Sequence, residues 1–329
     1  MTTRSGLRTR ILCTALILAA VPAVATASGE DERVQVCLVP SGAPTVEHPS
    51  RLPAAAVPAL LRTTPSYAGP CAAYGPAVRL GDGTLRAYTR QVAGRPVAVG
   101  VVFPASALRG LPTAVSDGRH CFDADGDGRT DLHTECSVGH EYALEPPGAG
   151  QAPFVWDLVN WNPAGHNPQG VYDTPHFDFH FYLQPKSARD AIRTGPCQSH
   201  MNCEDYARAR RPVPARYTAP GFADLDAVEP AMGNHLLDTR SPELNGGPFT
   251  HTWIYGAYDG EITFYEAMVA KSWLEGQRDG RVEDTCTSFR QPRAWRESGW
   301  YPTRYCTEYR ENRREHVVSL EGFVFREAS

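Results

Sequence analysis

The heptapeptide His176-Phe177-Asp178-Phe179-His180-Phe181-Tyr182, HFDFHFY, decides how this chain is read. Polar and aromatic residues alternate through it without a break. A period of two is that of a β-strand, in which successive side chains leave opposite faces. Three phenylalanines on one face predict a core strand. His176, Asp178 and His180 then share the other face. Two imidazoles and a carboxylate suit zinc, copper, iron or manganese. Along a straight strand the two histidines stand about 13 Å apart, whereas neighbours at i and i+2 stand about 6–7 Å apart. One ion can therefore take His176 with Asp178, or Asp178 with His180, and other strands must supply the remaining donors.

Three such donors are expected downstream. His235 lies in AMGNHLLD, beside Gly233, and His251 in GPFTHTWIYG. Glu266 lies in TFYEAM, on the returning strand of a hairpin. His166, in the loop WNPAGHNPQG that leads into the heptapeptide, is close enough to join them. The plainer reading of the same residues is a polar sheet face of hydrogen-bonded His and Asp.

Outward from this strand the text stays β-rich. AVRLGDGTLRAYTRQVAGRPVAVGVVF reads as a meander broken at Gly-Asp-Gly and Ala-Gly-Arg-Pro. FTHTWIYGAYDGEITFYEAMV reads as a hairpin around an Asp-Gly turn. Helical pattern is confined to short stretches: KSARDAIRTG, NCEDYARARR and AKSWLEGQ, with PASALRGL a fourth. The expected fold is mainly β (β-rich α+β). Antiparallel sheets pack as a sandwich or open barrel with a few short helices, stapled by disulfides. Residues 28–73, rich in Pro and Ala, read as an extended N-terminal arm. Residues 74–275 form the β-rich core domain, and 276–329 a Cys-containing extension packed on it.

A second constellation is CFDADGDGRTDLHTEC. Asp123, Asp125, Asp127 and Asp131, with Gly128 at the turn and the Arg129 carbonyl, match the first nine positions of a calcium loop. Position 12 is Thr134, and no long helices flank the loop, so it is not an EF-hand. It fits a short extracellular calcium loop closed by Cys121 and Cys136.

The first 27 residues read as a signal peptide. Arg4, Arg8 and Arg10 precede a short apolar run, and Ala25-Thr26-Ala27 offers a cleavage site. Eight cysteines remain beyond it: Cys37, Cys71, Cys121, Cys136, Cys197, Cys203, Cys286 and Cys306. An even count in an exported chain argues for disulfides, and pairing of neighbours is the simplest of the 105 arrangements open to eight cysteines. No later segment is apolar for long enough to span a bilayer. A net charge of −5 gives no footprint for nucleic acid. GxSxG, Walker, HExxH and dinucleotide-binding patterns are all missing.

Taken together, WNPAGHNPQGVYDTPHFDFHFY, MGNHLLD, PFTHTWIYGAYDGEITFYEAM and YGPAVRLGDGTLRAYTRQVAGRPVAVGVVF resemble the TTHB-two-ten-like domain family of exported bacterial proteins. The resemblance runs from about Tyr74 to Trp273 and does not extend past Arg278. It implies a β-rich exported domain of unknown function and assigns no catalytic residues. The expected protein is thus secreted or held in the cell envelope, with a His/Asp/Glu metal site and a calcium-type loop. The alternative is a non-enzymatic binding or structural module, open to homo-oligomer formation, with its small-molecule ligand undefined.

Overall fold

The computed structural model of the chain describes residues 32–42, 46–148 and 153–329. The expected signal peptide, 1–27, lies outside them. Near the N-terminus, β1 (Arg33–Leu38), β2 (His48–Pro53) and β3 (Tyr67–Ala68) form a small sheet beside α1 (Val57–Thr63). Next come β4 (Ala72–Tyr74), β5 (Val78–Leu80), β6 (Gly83–Val92) and β7 (Arg95–Pro104). The middle of the chain supplies β8 (His140–Leu144), β9 (Trp156–Asn162), β10 (His176–Tyr182), β11 (Phe222–Glu229), β12 (Gly233–Asp238), β13 (His251–Tyr258) and β14 (Glu261–Ala270). The last strands are β15 (Thr285–Ser288), β16 (Gly299–Tyr301), β17 (Arg304–Arg310), β18 (Glu315–Glu321) and β19 (Val324–Arg326). Three short helices accompany them: α2 (Lys186–Asp190), α3 (Cys203–Ala209) and α4 (Lys271–Arg278).

Two large antiparallel sheets carry the core. One runs β11-β12-β13-β14-β10-β9-β8, the other β15-β17-β18-β7-β6-β4, with β5 added on β6. The alternation of the heptapeptide accounts for how they meet. Phe177, Phe179 and Phe181 are fully buried against the second sheet, where the Phe103 ring stacks on Phe179 at 6.1 Å. Val99, Val101, Val318 and Leu320 face them in the same cluster. Burying one such side chain is worth about 1.5–3 kcal/mol, so this contact holds the sheets together.

Sequence position misleads about both ends. The stretch expected as an extended arm folds into its own three-stranded sheet, because β1 finds hydrogen-bonding partners on both sides. It is tied to the body through Asn312, which donates to the Thr64 and Ser66 carbonyls at 2.9 and 2.7 Å. The segment from 276 on, expected as an extension, supplies β15, β17 and β18 to the second sheet. There β18 lies between β17 and β7. Its run HVVSL, buried throughout, explains why it takes an interior place.

The eight cysteines pair as neighbours: Cys37–Cys71, Cys121–Cys136, Cys197–Cys203 and Cys286–Cys306. The hairpin of β13 and β14 turns at Asp259-Gly260, both at positive φ, as the tight turn requires. Four residues further along, its register shifts. Ala257 faces Ile262 but Gly256 faces Phe264, leaving Thr263 as an extra residue on β14. Beyond the bulge, the side chains of β13 that would have shared a face with Glu266 point the other way. Among the described residues no helix is long and apolar enough to cross a membrane.

Candidate metal centre

The polar face of β10 is as buried as its phenylalanine face, because loops cover it. Residues 117, 119–120, 137–139, 166–168, 198–199 and 225–230 line a cavity of about 260 Å³ over the outer face of the first sheet. Strand register decides which side chains meet on its floor. His180 stands between Leu158 on β9 and Glu266 on β14, and Asp178 between Asn160 and Met268. His235 on β12 lies opposite Gly256 on β13, so no side chain at that position intervenes between β12 and β14.

His180, His235 and Glu266 consequently offer three donor atoms within 4.8 Å of one another. The His180 Nε2 lies 3.6 Å from Glu266 Oε1, and the His235 Nε2 lies 3.8 Å from Oε2. The His235 Nδ1 meets the Ala227 carbonyl at 3.0 Å. A carbonyl only accepts, so Nδ1 carries the proton and Nε2 presents a lone pair to the cluster. Phe264 sets both rings: His180 and His235 each meet it edge-on, with centroids 5.0 and 5.2 Å away. Gly256 leaves the space that this phenyl ring occupies, since a Cβ there would come within 2.1 Å of it. His180 Nε2 and Glu266 Oε2 are buried without a hydrogen-bond partner.

The electrostatics follow from that burial. Desolvation, with His235 nearby, takes the His180 imidazole down to about 3. Desolvation likewise takes His235 down to about 4. Burial, and then the Asp178 charge, raise Glu266 well above the carboxylate range. At neutral pH both imidazoles are therefore uncharged, and burial biases Glu266 toward its protonated form.

A second cluster adjoins the first. His166, His176 and Asp178 also bring donor atoms within 4.8 Å of one another. The Asp178 carboxylate receives a hydrogen bond from Asn162 Nδ2 at 2.7 Å. Gly139, at positive φ, makes room for Asn162, because a Cβ there would stand 2.4 Å from its Oδ1. Burial opposes the Asp178 charge, but His176 and His166 outweigh it and hold this carboxyl well below its usual range. Further along the same row, Glu141 pairs with the buried Arg189 and lies 3.2 Å from His120 Nε2. Burial would raise Glu141, yet these partners bring it down to about 2. Glu229, in the cavity wall, is pushed up to about 7 by burial, with His166 opposing.

Of the expected ligands, His176, Asp178, His180, His235 and Glu266 thus lie on one sheet face, split between two clusters. His251 does not. It lies beyond the bulge, on the core face, where its ring packs on Trp273 and its Nδ1 meets the Tyr305 hydroxyl at 2.7 Å. Phe264, Asn162 and Glu229 escaped the sequence reading, and His166 entered it only as a neighbour. Proximity of its loop to β10 was the one signal for His166.

In the acidic loop, Asp123, Asp125 and Asp127 converge within the same limit. Asp131 is turned aside, accepting from the His133 and Thr134 amides at 2.8 and 3.0 Å. Glu135 organises the loop by accepting from the Ala124 and Asp131 amides at 2.7 and 2.9 Å. No protein-family model matches this chain, and neither does a curated protein or a solved structure.

Proposed function

We propose that this chain is an exported metal-binding protein that holds one divalent transition ion on His180, His235 and Glu266 and presents it to a small molecule entering the cavity. One observation carries this reading: donor atoms from three strands, two of them buried and one partly buried, lie within 4.8 Å of one another, and two of them have no hydrogen-bond partner. Two imidazoles and one carboxylate suit zinc, iron, copper or manganese. Leaving such atoms unsatisfied in a buried site costs about 1–3 kcal/mol each, and an ion would offset that cost. A bound ion would supply Lewis acidity to whatever occupies the cavity. The four disulfides support a passage through an oxidising compartment, in line with the signal-like N-terminus and the exported family that the motifs resemble. The acidic loop is a separate, structural calcium site in this reading, with Asp123, Asp125 and Asp127 as its nearest carboxylates.

The test is direct. Purified mature protein, stripped with chelator, is titrated with zinc and with cobalt and analysed for bound metal. Uptake that weakens at least tenfold in His235→Gln is expected. A chain that takes up no zinc, cobalt, copper or iron would sink the proposal.

A further inference from the structure

The cluster of His166, His176 and Asp178 has a lone-pair problem of its own. The His176 Nδ1 lies 2.7 Å from the Thr174 carbonyl, and the His166 Nδ1 lies 2.7 Å from the Asn167 carbonyl. Each Nδ1 must be the donor in its contact, because a carbonyl oxygen has no hydrogen to give. Each Nε2 then faces the Asp178 carboxylate, at 3.2 Å for His176 and 3.5 Å for His166. Two ring lone pairs and an anion cannot converge without positive charge between them. The charge is either extra protons on the rings or a cation.

The surroundings favour a cation. His176 is fully buried, and its Nε2 and the Asp178 Oδ1 have no hydrogen-bond partner of good geometry. The second carboxylate oxygen is held by Asn162, and the two Nδ1–carbonyl contacts fix both rings. Ligand imidazoles characteristically have their other nitrogen tied in this way. His166 and Asp178 open on the same cavity as His180, His235 and Glu266.

We propose that His166, His176 and Asp178 hold a second divalent transition ion, so that the cavity floor carries two metal centres side by side. This rests on the reading of the first centre only in placing both ions under one roof. The residues of the two centres are distinct, with Asp178 and His180 coming from one strand two positions apart. Neighbouring ions of this kind polarise two oxygens of one ligand at once, so oxyanions such as phosphate esters or carboxylates are the class of molecule the cavity would take.

The experiment counts metal in the full mature chain. Chelator-stripped protein is titrated with cobalt, and bound ions are measured by elemental analysis in wild type, His166→Gln and His235→Gln. These are the least buried members of each cluster, and circular dichroism checks that both variants fold. Two ions in wild type, and one in each variant, is the expected result. One ion in wild type, lost in His235→Gln and kept in His166→Gln, overturns the second centre and leaves the first standing. One ion lost only in His166→Gln supports this cluster as a centre and overturns the first. No bound ion in any of the three overturns both. Copper loading of the unaltered chain gives an independent readout: the second equivalent must produce the broadened resonance of two interacting spins, and two isolated-copper spectra would refute adjacency.

Discussion

His180 and Glu266 face each other across β10 and β14, and the imidazole Nε2 stands 3.6 Å from the carboxylate Oε1. Burial has pushed the two groups in opposite directions, the imidazole down to about 3 and the carboxyl well up. A metal ion bound by His180, His235 and Glu266 would therefore compete with a proton at Glu266, while both histidines are already unprotonated at neutral pH. Affinity is expected to rise about tenfold per pH unit while Glu266 remains protonated in the metal-free state. Calorimetry in two buffers of different ionisation enthalpy should report proton release as this centre fills. In Glu266→Gln the release should vanish and binding should weaken. Proton-neutral uptake by the unaltered chain would contradict this arrangement.

Phe264 offers no donor atom but packs edge-on against both rings. Phe264→Leu should weaken cobalt binding by about 10–100-fold, the cost usual for losing a group that orients ligands. Cobalt titration measures it, and unchanged affinity would show that the rings are held by other contacts.

His316 gives a pH effect outside the cavity. It is fully buried on β18 between the Phe103 and Tyr309 rings, 5.3 and 4.8 Å away. Desolvation, with Arg278 adding to it, takes it down to about 4. The folded value lies below the unfolded one of about 6.5, so its contribution to stability is complete above pH 6.5. It is lost as pH falls toward 4, because the unfolded chain takes up the proton first. The total is on the order of 3 kcal/mol. Denaturant unfolding of wild type and His316→Met at pH 7.5 and pH 4 should show the wild type losing the larger share; parallel losses would refute it.

Calcium should raise the melting temperature of the protein by mass action, and Asp125→Ala should abolish the rise. The Cys121–Cys136 bridge closes this loop with a separation of 15 residues. Replacing both cysteines by serine should cost about 3 kcal/mol, read by denaturant unfolding, and blunt the calcium response. A mutant that keeps the full response would place calcium elsewhere.

The sequence carried the β-rich class, the core face of β10, the Asp-Gly hairpin and the neighbour pairing of cysteines, because each is a local pattern with a local cause. His251 shows where such reading stops. Counting back from the Asp-Gly turn puts it on the same face as Glu266. One extra residue, Thr263, reverses the parity beyond Gly256, and no residue type announces a bulge there. The same limit hid the role of β18: HVVSL reads as a strand, but nothing in it says which strands it will separate. His180 and Glu266 were individually visible, whereas their being opposite depends on register across a long connection.

The place of β18 has a consequence for the order of events at synthesis. Val318 pairs with Val101 on β7 and helps complete the face against which the phenylalanines of β10 pack. Until the ribosome has released the residues of β18, β7 lacks that neighbour and the aromatic interior stays open. Closing contacts between such distant parts of the chain is slow. The nascent polypeptide therefore cannot close this interior before β18 emerges, and it would need shelter from aggregation until that strand arrives.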